Sequence, residues 1–201
     1  MAASKIIDNE MLIRQADQSH YHYGPVMSRL LSLVSGVSES TIRQTKIYSR
    51  QPLRYIPMYP AIKGGGAITL GNKRWTSITY TENFFSTNQQ RYGSAAYGNN
   101  LNVWLRLSAH EVGHLHHAKR FKSFLIYLIV FAYQYIRFGH DAAPLELEAD
   151  VGPKVLSKFR HFIRDTFDQD LIHDCLETHL PSDEKLAMIN QWWAAWEGER
   201  A

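Results

Sequence analysis

Apolar residues between Leu101 and Phe121 recur at helical spacing on two stripes. Leu101, Leu105, Val112 and Leu115 share one; Val103, Leu107 and Phe121 share the other with His110, His114 and His117. A helix that is apolar on most sides is a buried one. This stretch therefore predicts a central helix, N-capped by Asn99 or Asn100. Upstream the period shortens to two. Ala67–Leu70 and Trp75–Phe85, the second alternating at Ile78 and Tyr80, flank Gly71-Asn72 and predict two antiparallel strands joined by a turn. Ser86–Asn100 is polar and Gly-containing, and reads as a loop. Val26–Val37 predicts a short helix broken near Gly36, while Ser38–Tyr48 fits helix or strand equally. Pro52, Pro57 and Pro60 mark an irregular stretch, and Gly64-Gly65-Gly66 a turn.

Downstream, Ser123–Ile136 is the most apolar run in the chain. As a helix it reaches about 21 Å at about 1.5 Å per residue, short of the roughly 30 Å of a bilayer core. It predicts a buried helix, with membrane attachment as the alternative. Asp141 and Pro144 suggest an N-cap and first turn for a helix over Leu145–Val151. Gly152-Pro153 should bend or break it before a further helix to about Thr166. Two more helices are expected near Leu171–His179 and Ser182–Trp196, the last with a Trp-rich docking face. The expected fold class is α+β: a small antiparallel sheet, a central helix and a helical C-terminal half. All of it fits one domain over residues 1–201, with about 1–25 a loosely ordered extension.

Composition narrows the function classes. Hydrophobic residues at 45% and charged residues at 20% describe a folded chain rather than a disordered one. A net charge of +3, with Lys119, Arg120 and Lys122 as the densest basic stretch, argues against a nucleic-acid partner. The single Cys175 excludes an intramolecular disulfide framework and a cysteine-based zinc site, and fits a reducing compartment. Met1–Glu10 carries Asp8 and Glu10 with no long apolar run, so no Sec-type signal peptide is expected. The expected location is the cytoplasm, or the exterior by a route that reads no N-terminal signal. Ten His residues are the compositional hint of metal chemistry.

His110-Glu111-Val112-Gly113-His114 is HExxH. Residues four apart share a helix face, so both imidazoles can address one metal ion. Glu111 sits about 100° round the helix, within reach of a water on that ion without crowding the ligands. Zn2+ would acidify the water and Glu111 would accept its proton. The plain alternative is a pair of hydrogen-bonded core histidines.

A catalytic zinc needs a third protein ligand and an open position. Glu146-Leu147-Glu148-Ala149-Asp150 offers one. Glu146 and Asp150 share a helix face, while Glu148 points roughly the other way. That geometry selects Glu146 as ligand and Asp150 as acceptor for the free N–H of a ligand histidine. The alternative is an acidic first turn complementing the helix dipole. His116 and His117 read as supporting or surface groups rather than ligands. His140 is the preferred candidate for stabilising an oxyanion, though Tyr133, Tyr135, His161 and His173 are eligible by type.

HEVGH followed by ELEAD resembles the HExxH plus ExxxD arrangement of gluzincin metallopeptidases, nearest to the CAAX prenyl protease and HtpX-like families. The match covers about Leu101–Leu156. The HExxHxxGxxH pattern of metzincins does not fit, because His117 and Arg120 stand where it has Gly and His. The resemblance implies a zincin-like fold, zinc held by His110, His114 and Glu146, Glu111 as base, Asp150 in support, and hydrolysis of protein or peptide substrates. It also implies that a strand beside the motif helix, here Ile78–Phe85, pairs with an extended substrate. The GAITLGN-type strand is similar to small bacterial peptidase-like domains, some associated with toxins and secretion systems, which fits a delivered effector. Two rivals come from other classes: an inactive zinc-binding module that engages a partner, and a membrane-associated protein anchored through 123–136.

Overall fold

The computed structural model describes residues 9–17, 20–48, 67–80, 100–121 and 123–200. The expectations for Pro52, Pro57 and Pro60, for Gly64-Gly65-Gly66, for positions 81–85 and for the loop at 86–99 lie outside those residues. Within them the architecture is α+β.

Five strands form one sheet in the order β1-β2-β3-β5-β4: β1 (Leu12–Arg14), β2 (Tyr21–Tyr23), β3 (Lys46–Tyr48), β4 (Ala67–Gly71) and β5 (Thr76–Tyr80). The predicted hairpin is β4–β5, in register from Ala67 opposite Tyr80 to Gly71 opposite Thr76. Asn72 closes it, its Oδ1 accepting from the Arg74 N–H at 2.8 Å. The sheet is mixed, however, and not antiparallel as expected. β3 runs parallel to β5, pairing Ile47 with Ile78. Alternation along a strand reports which face is buried and is silent on the direction of its neighbour. Of the stretch expected as a loose extension, the described residues 9–17 and 20–25 carry β1 and β2, which pair, and Met11, Leu12 and Tyr23 are buried in the core.

The first helix, α1 (Pro25–Ser35), starts with Pro25 at its first position and stops at Gly36, whose φ of 73° needs no Cβ accommodation. The ambiguous stretch after it supplies both structures, a short helix α2 (Glu39–Gln44) capped by Ser38 and then β3. The spine is α3 (Asn100–Arg120). Its Leu101, Leu105, Val112 and Leu115, the first predicted stripe, are buried together with Trp104 and Ala109, whereas Val103, Leu107 and Phe121 of the second are only partly covered. Behind it, Tyr80 Oη lies 2.7 Å from Ser108 Oγ and 2.5 Å from Tyr23 Oη, tying β5 and β2 to the helix just before the motif.

Four helices follow the next one, α4 (Phe124–Phe138): α5 (Pro144–Ala149), α6 (Val151–Phe167), α7 (Leu171–Glu177) and α8 (Ser182–Arg200). The Trp-rich face of α8 is core, with Trp196 packed 5.4 Å from the Phe159 ring of α6. α4 departs from expectation. It is helical, but Leu125, Ile126, Ile129, Tyr133 and Ile136 are exposed and only Tyr127 is buried. Apolar composition alone cannot say how many sides of a helix are covered. Among the described residues no helix is long and apolar enough to cross a membrane. The break after α5 also falls earlier than predicted, at Asp150. Gly152 and Pro153 sit in the first turn of α6, where proline's missing N–H costs nothing.

Candidate metal centre

Two helices meet at unusually small residues to build the site. A Cβ on Gly113 would stand 2.7 Å from the Ala149 carbonyl oxygen and 2.8 Å from its Cα. A Cβ on Gly152 would stand 2.6 Å from the Ala109 carbonyl oxygen. The backbones of α3 and the α5–α6 junction therefore touch on either side of His110, and only glycine permits this. α5 has a further anchor. Its N-cap Ala143 has no side-chain acceptor, and Gln134 of α4 accepts the Leu145 N–H instead, at 3.0 Å. Glu146 follows directly and is buried facing the motif.

Three donor atoms converge there. His114 Nε2 is 3.2 Å from His110 Nε2, and Glu146 Oε2 is 3.1 Å from His110 Nε2 and 3.5 Å from His114 Nε2. Donors at about 2.0–2.1 Å from a tetrahedral zinc stand about 3.3 Å apart. The observed triangle has that size. Glu146 Oε2 is buried with no hydrogen bond of good geometry, so only the two imidazoles beside it offset the cost of burying its charge. A shared cation removes the cost. His110, His114 and Glu146 thus form a group able to hold a metal ion.

Without a metal, the charges settle on a proton. Burial alone would lower the His110 imidazole, but the Glu146 carboxylate beside it, with Glu111 and Asp150, raises it to about 9. Burial would raise Glu146, yet the two imidazoles hold its carboxyl far below the ordinary carboxylate range. The metal-free site is an imidazolium–carboxylate pair, with the positive charge where a cation would sit. Asp150 Oδ1 accepts from His110 Nδ1 at 2.9 Å, which leaves Nε2 facing Glu146.

Glu111 lies on the neighbouring face of α3, buried, in a cavity of about 250 Å³ that also borders the two histidines and Glu146. β4 walls one side of the cavity, and Tyr127, Leu128 and Phe131 of α4 the other. Thr69 of β4 places its Oγ1 2.7 Å from Glu111 Oε2 and 2.8 Å from the Glu111 carbonyl oxygen. His140 also borders the cavity, its Nε2 3.7 Å from Glu146 Oε2. The rival oxyanion donors fare differently. Tyr135 neighbours the His140 ring, Tyr133 is exposed and bonded to Arg137, His161 borders a separate cavity, and His173 faces Glu177. His116 is exposed, with Nε2 3.2 Å from the Ser35 carbonyl oxygen, whereas His117 is buried. Burial, with His114 adding, holds the His117 imidazole down to about 4.

Over its described residues, Thr76–Tyr80, β5 lies between β3 and β4 and offers no free edge to a substrate, while positions 81–85 of the expected strand lie outside the described residues. Among the described residues the sheet's edge beside the cavity is β4. Thr69 carries no motif that would mark it in the sequence, yet it touches Glu111; Glu148, read in the sequence as pointing away from Glu146 and Asp150, meets His117 and Arg120. Comparison with protein families, curated proteins and solved structures finds no match to this chain.

Proposed function

We propose that this protein is a zinc-dependent metalloendopeptidase with a zincin-like site, His110, His114 and Glu146 holding the metal and Glu111 acting as general base. The observation that carries the proposal is the triangle of donor atoms, sized for tetrahedral zinc, with a buried glutamate beside it in an open cavity. A zinc ion bound there supplies Lewis acidity, making a water more acidic and a carbonyl more electrophilic. The chain's own groups supply the rest. Glu111 takes a proton from the attacking water as the new C–O bond forms, then delivers it to the amine as the C–N bond breaks. Thr69 holds the Glu111 carboxylate on the cavity side. The β4 edge suits an extended peptide by strand addition, and His140 stands where an oxyanion donor is useful. The cavity beside the triad favours a working site over a module with a blocked coordination position.

The test is metal analysis of the purified protein together with a Glu111→Gln variant assayed on a peptide library. One zinc per chain is expected in both, with hydrolysis reduced by a factor of about 10²–10⁴ in the variant. Wild-type protein that binds no stoichiometric metal, or a variant that cleaves normally, ends the proposal.

A further inference from the structure

Resting on that zinc-site reading, we infer that His117 and Glu148 form a two-step hydrogen-bond relay that orients His114 for the metal, making His117 and Glu148 positioning residues. His110, His114 and His117 share one stripe of α3. His110 donates its Nδ1–H directly to a carboxylate, Asp150, but the Nδ1 of His114 faces a third histidine instead. Its Nδ1 lies 3.2 Å from His117 Nδ1, and His117 Nε2 lies 2.9 Å from Glu148 Oε2. Arg120 completes the chain, donating to the same Glu148 oxygen at 3.1 Å.

The proton positions along this chain follow from one requirement. If His114 gives its Nε2 lone pair to a metal, its proton must sit on Nδ1. His117 Nδ1 is then the acceptor, so the proton of a neutral His117 must sit on Nε2. From there it is donated to Glu148, an acceptor whose charge Arg120 balances. No other assignment satisfies both bonds while leaving the metal-facing nitrogen of His114 free. His117 is 1% exposed, so water cannot readily substitute for either of its partners. Both proposed histidine ligands are thereby referred to carboxylates from the short segment that also carries Glu146. Outer partners of this kind fix ring orientation and raise ligand basicity, and losing one typically weakens metal binding about 10–100-fold.

The whole 201-residue chain, stripped of metal, is titrated with zinc against a chromophoric chelator, and the melting temperature of each metal-free variant is recorded. His117→Leu removes the acceptor and should raise the zinc Kd about 10–100-fold. His117→Asn, whose Oδ1 can accept the His114 Nδ1–H, should recover most of that loss. Glu148→Ala should weaken binding more than Glu148→Gln, which still accepts from His117; Glu148 is half-exposed, so neither change should prevent folding. Zinc affinity within twofold of wild type in both His117→Leu and Glu148→Ala overturns the relay alone. So does equal weakening in His117→Leu and His117→Asn with matching losses of metal-free melting temperature, the pattern of a merely structural role. Wild-type protein that binds no zinc overturns the metal site itself, a separate result.

Discussion

Replacing Gly113 by alanine tests whether the contact between helices, and not the motif alone, builds the site. In an unobstructed helix interior this change is favourable by about 0.8–1 kcal/mol, because glycine pays the larger backbone entropy. Here the added Cβ would meet the Ala149 carbonyl oxygen at 2.7 Å and its Cα at 2.8 Å, against an ordinary contact of 3.4 Å or more. α5 and α3 must separate by roughly 0.7 Å to relieve it. Overpacking of this kind costs about 1–3 kcal/mol, which cancels or exceeds the helix gain. Stability alone is therefore an ambiguous signal. The decisive quantity is metal affinity, since Glu146 rides on α5 and its Oε2 already stands 3.1 and 3.5 Å from the two imidazoles. A displacement of that size exceeds the ~0.2 Å tolerance of a metal–ligand distance. Zinc affinity should fall at least tenfold, by chelator competition, and the zinc-induced rise in melting temperature should shrink with it. A Gly113→Ala protein that melts higher than wild type and binds zinc equally well would show that the close approach is dispensable, and the geometric argument would fail.

Two further outcomes follow from the same geometry. Thr69→Val keeps the shape of β4 and removes the hydroxyl 2.7 Å from Glu111 Oε2; kcat should drop several-fold with zinc content unchanged, and equal kcat would deny Thr69 any part in holding the base. For the metal-free protein, His110 is raised from 6.5 to about 9, so its contribution to stability is complete below pH 6.5 and lost as pH rises through 9. Glu146, depressed from 4.5, contributes above pH 4.5 and loses its share as pH falls towards its folded value. Melting temperature without zinc should therefore be highest between pH 4.5 and 6.5 as far as this pair decides it, and bound zinc should abolish the alkaline loss. An apo melting temperature that is flat from pH 6.5 to 9 would contradict the ion pair.

What could be read in advance divides along local and non-local lines. His110 and His114 four apart, or Glu146 and Asp150 four apart, are facts of helix geometry, and the structure places all four residues together. The β4–β5 hairpin was equally local, since its turn residues lie between its strands. The parallel β3–β5 pairing depends on the path of the chain between them, which no strand period encodes. Thr69 reaches Glu111 only because β4 lies across α3 at a particular register. The exposure of Ile129 and Ile136 depends on what fails to pack over α4. Each of these is set by contacts between distant segments, and none leaves a period or a spacing to find.

Glu148 illustrates how a correct local deduction can miss its consequence. On a helix it does point away from Glu146 and Asp150, and so away from the three donor atoms. Yet α5 crosses α3 closely enough, at Gly113 and Ala149, that both of its sides face the motif helix further along its length. One side meets His110 through Glu146 and Asp150; the other meets His117 and Arg120 through Glu148. The acidic residues at alternate positions are thus distributed around a single crossing point. HExxH by itself only aligns two imidazoles. The contact of Ala109 and Gly113 with Ala149 and Gly152 is what allows one short acidic segment to supply the third donor and to set carboxylates beside His110 and His117. The small residues in both segments therefore belong to the candidate metal site as much as its three donor residues do.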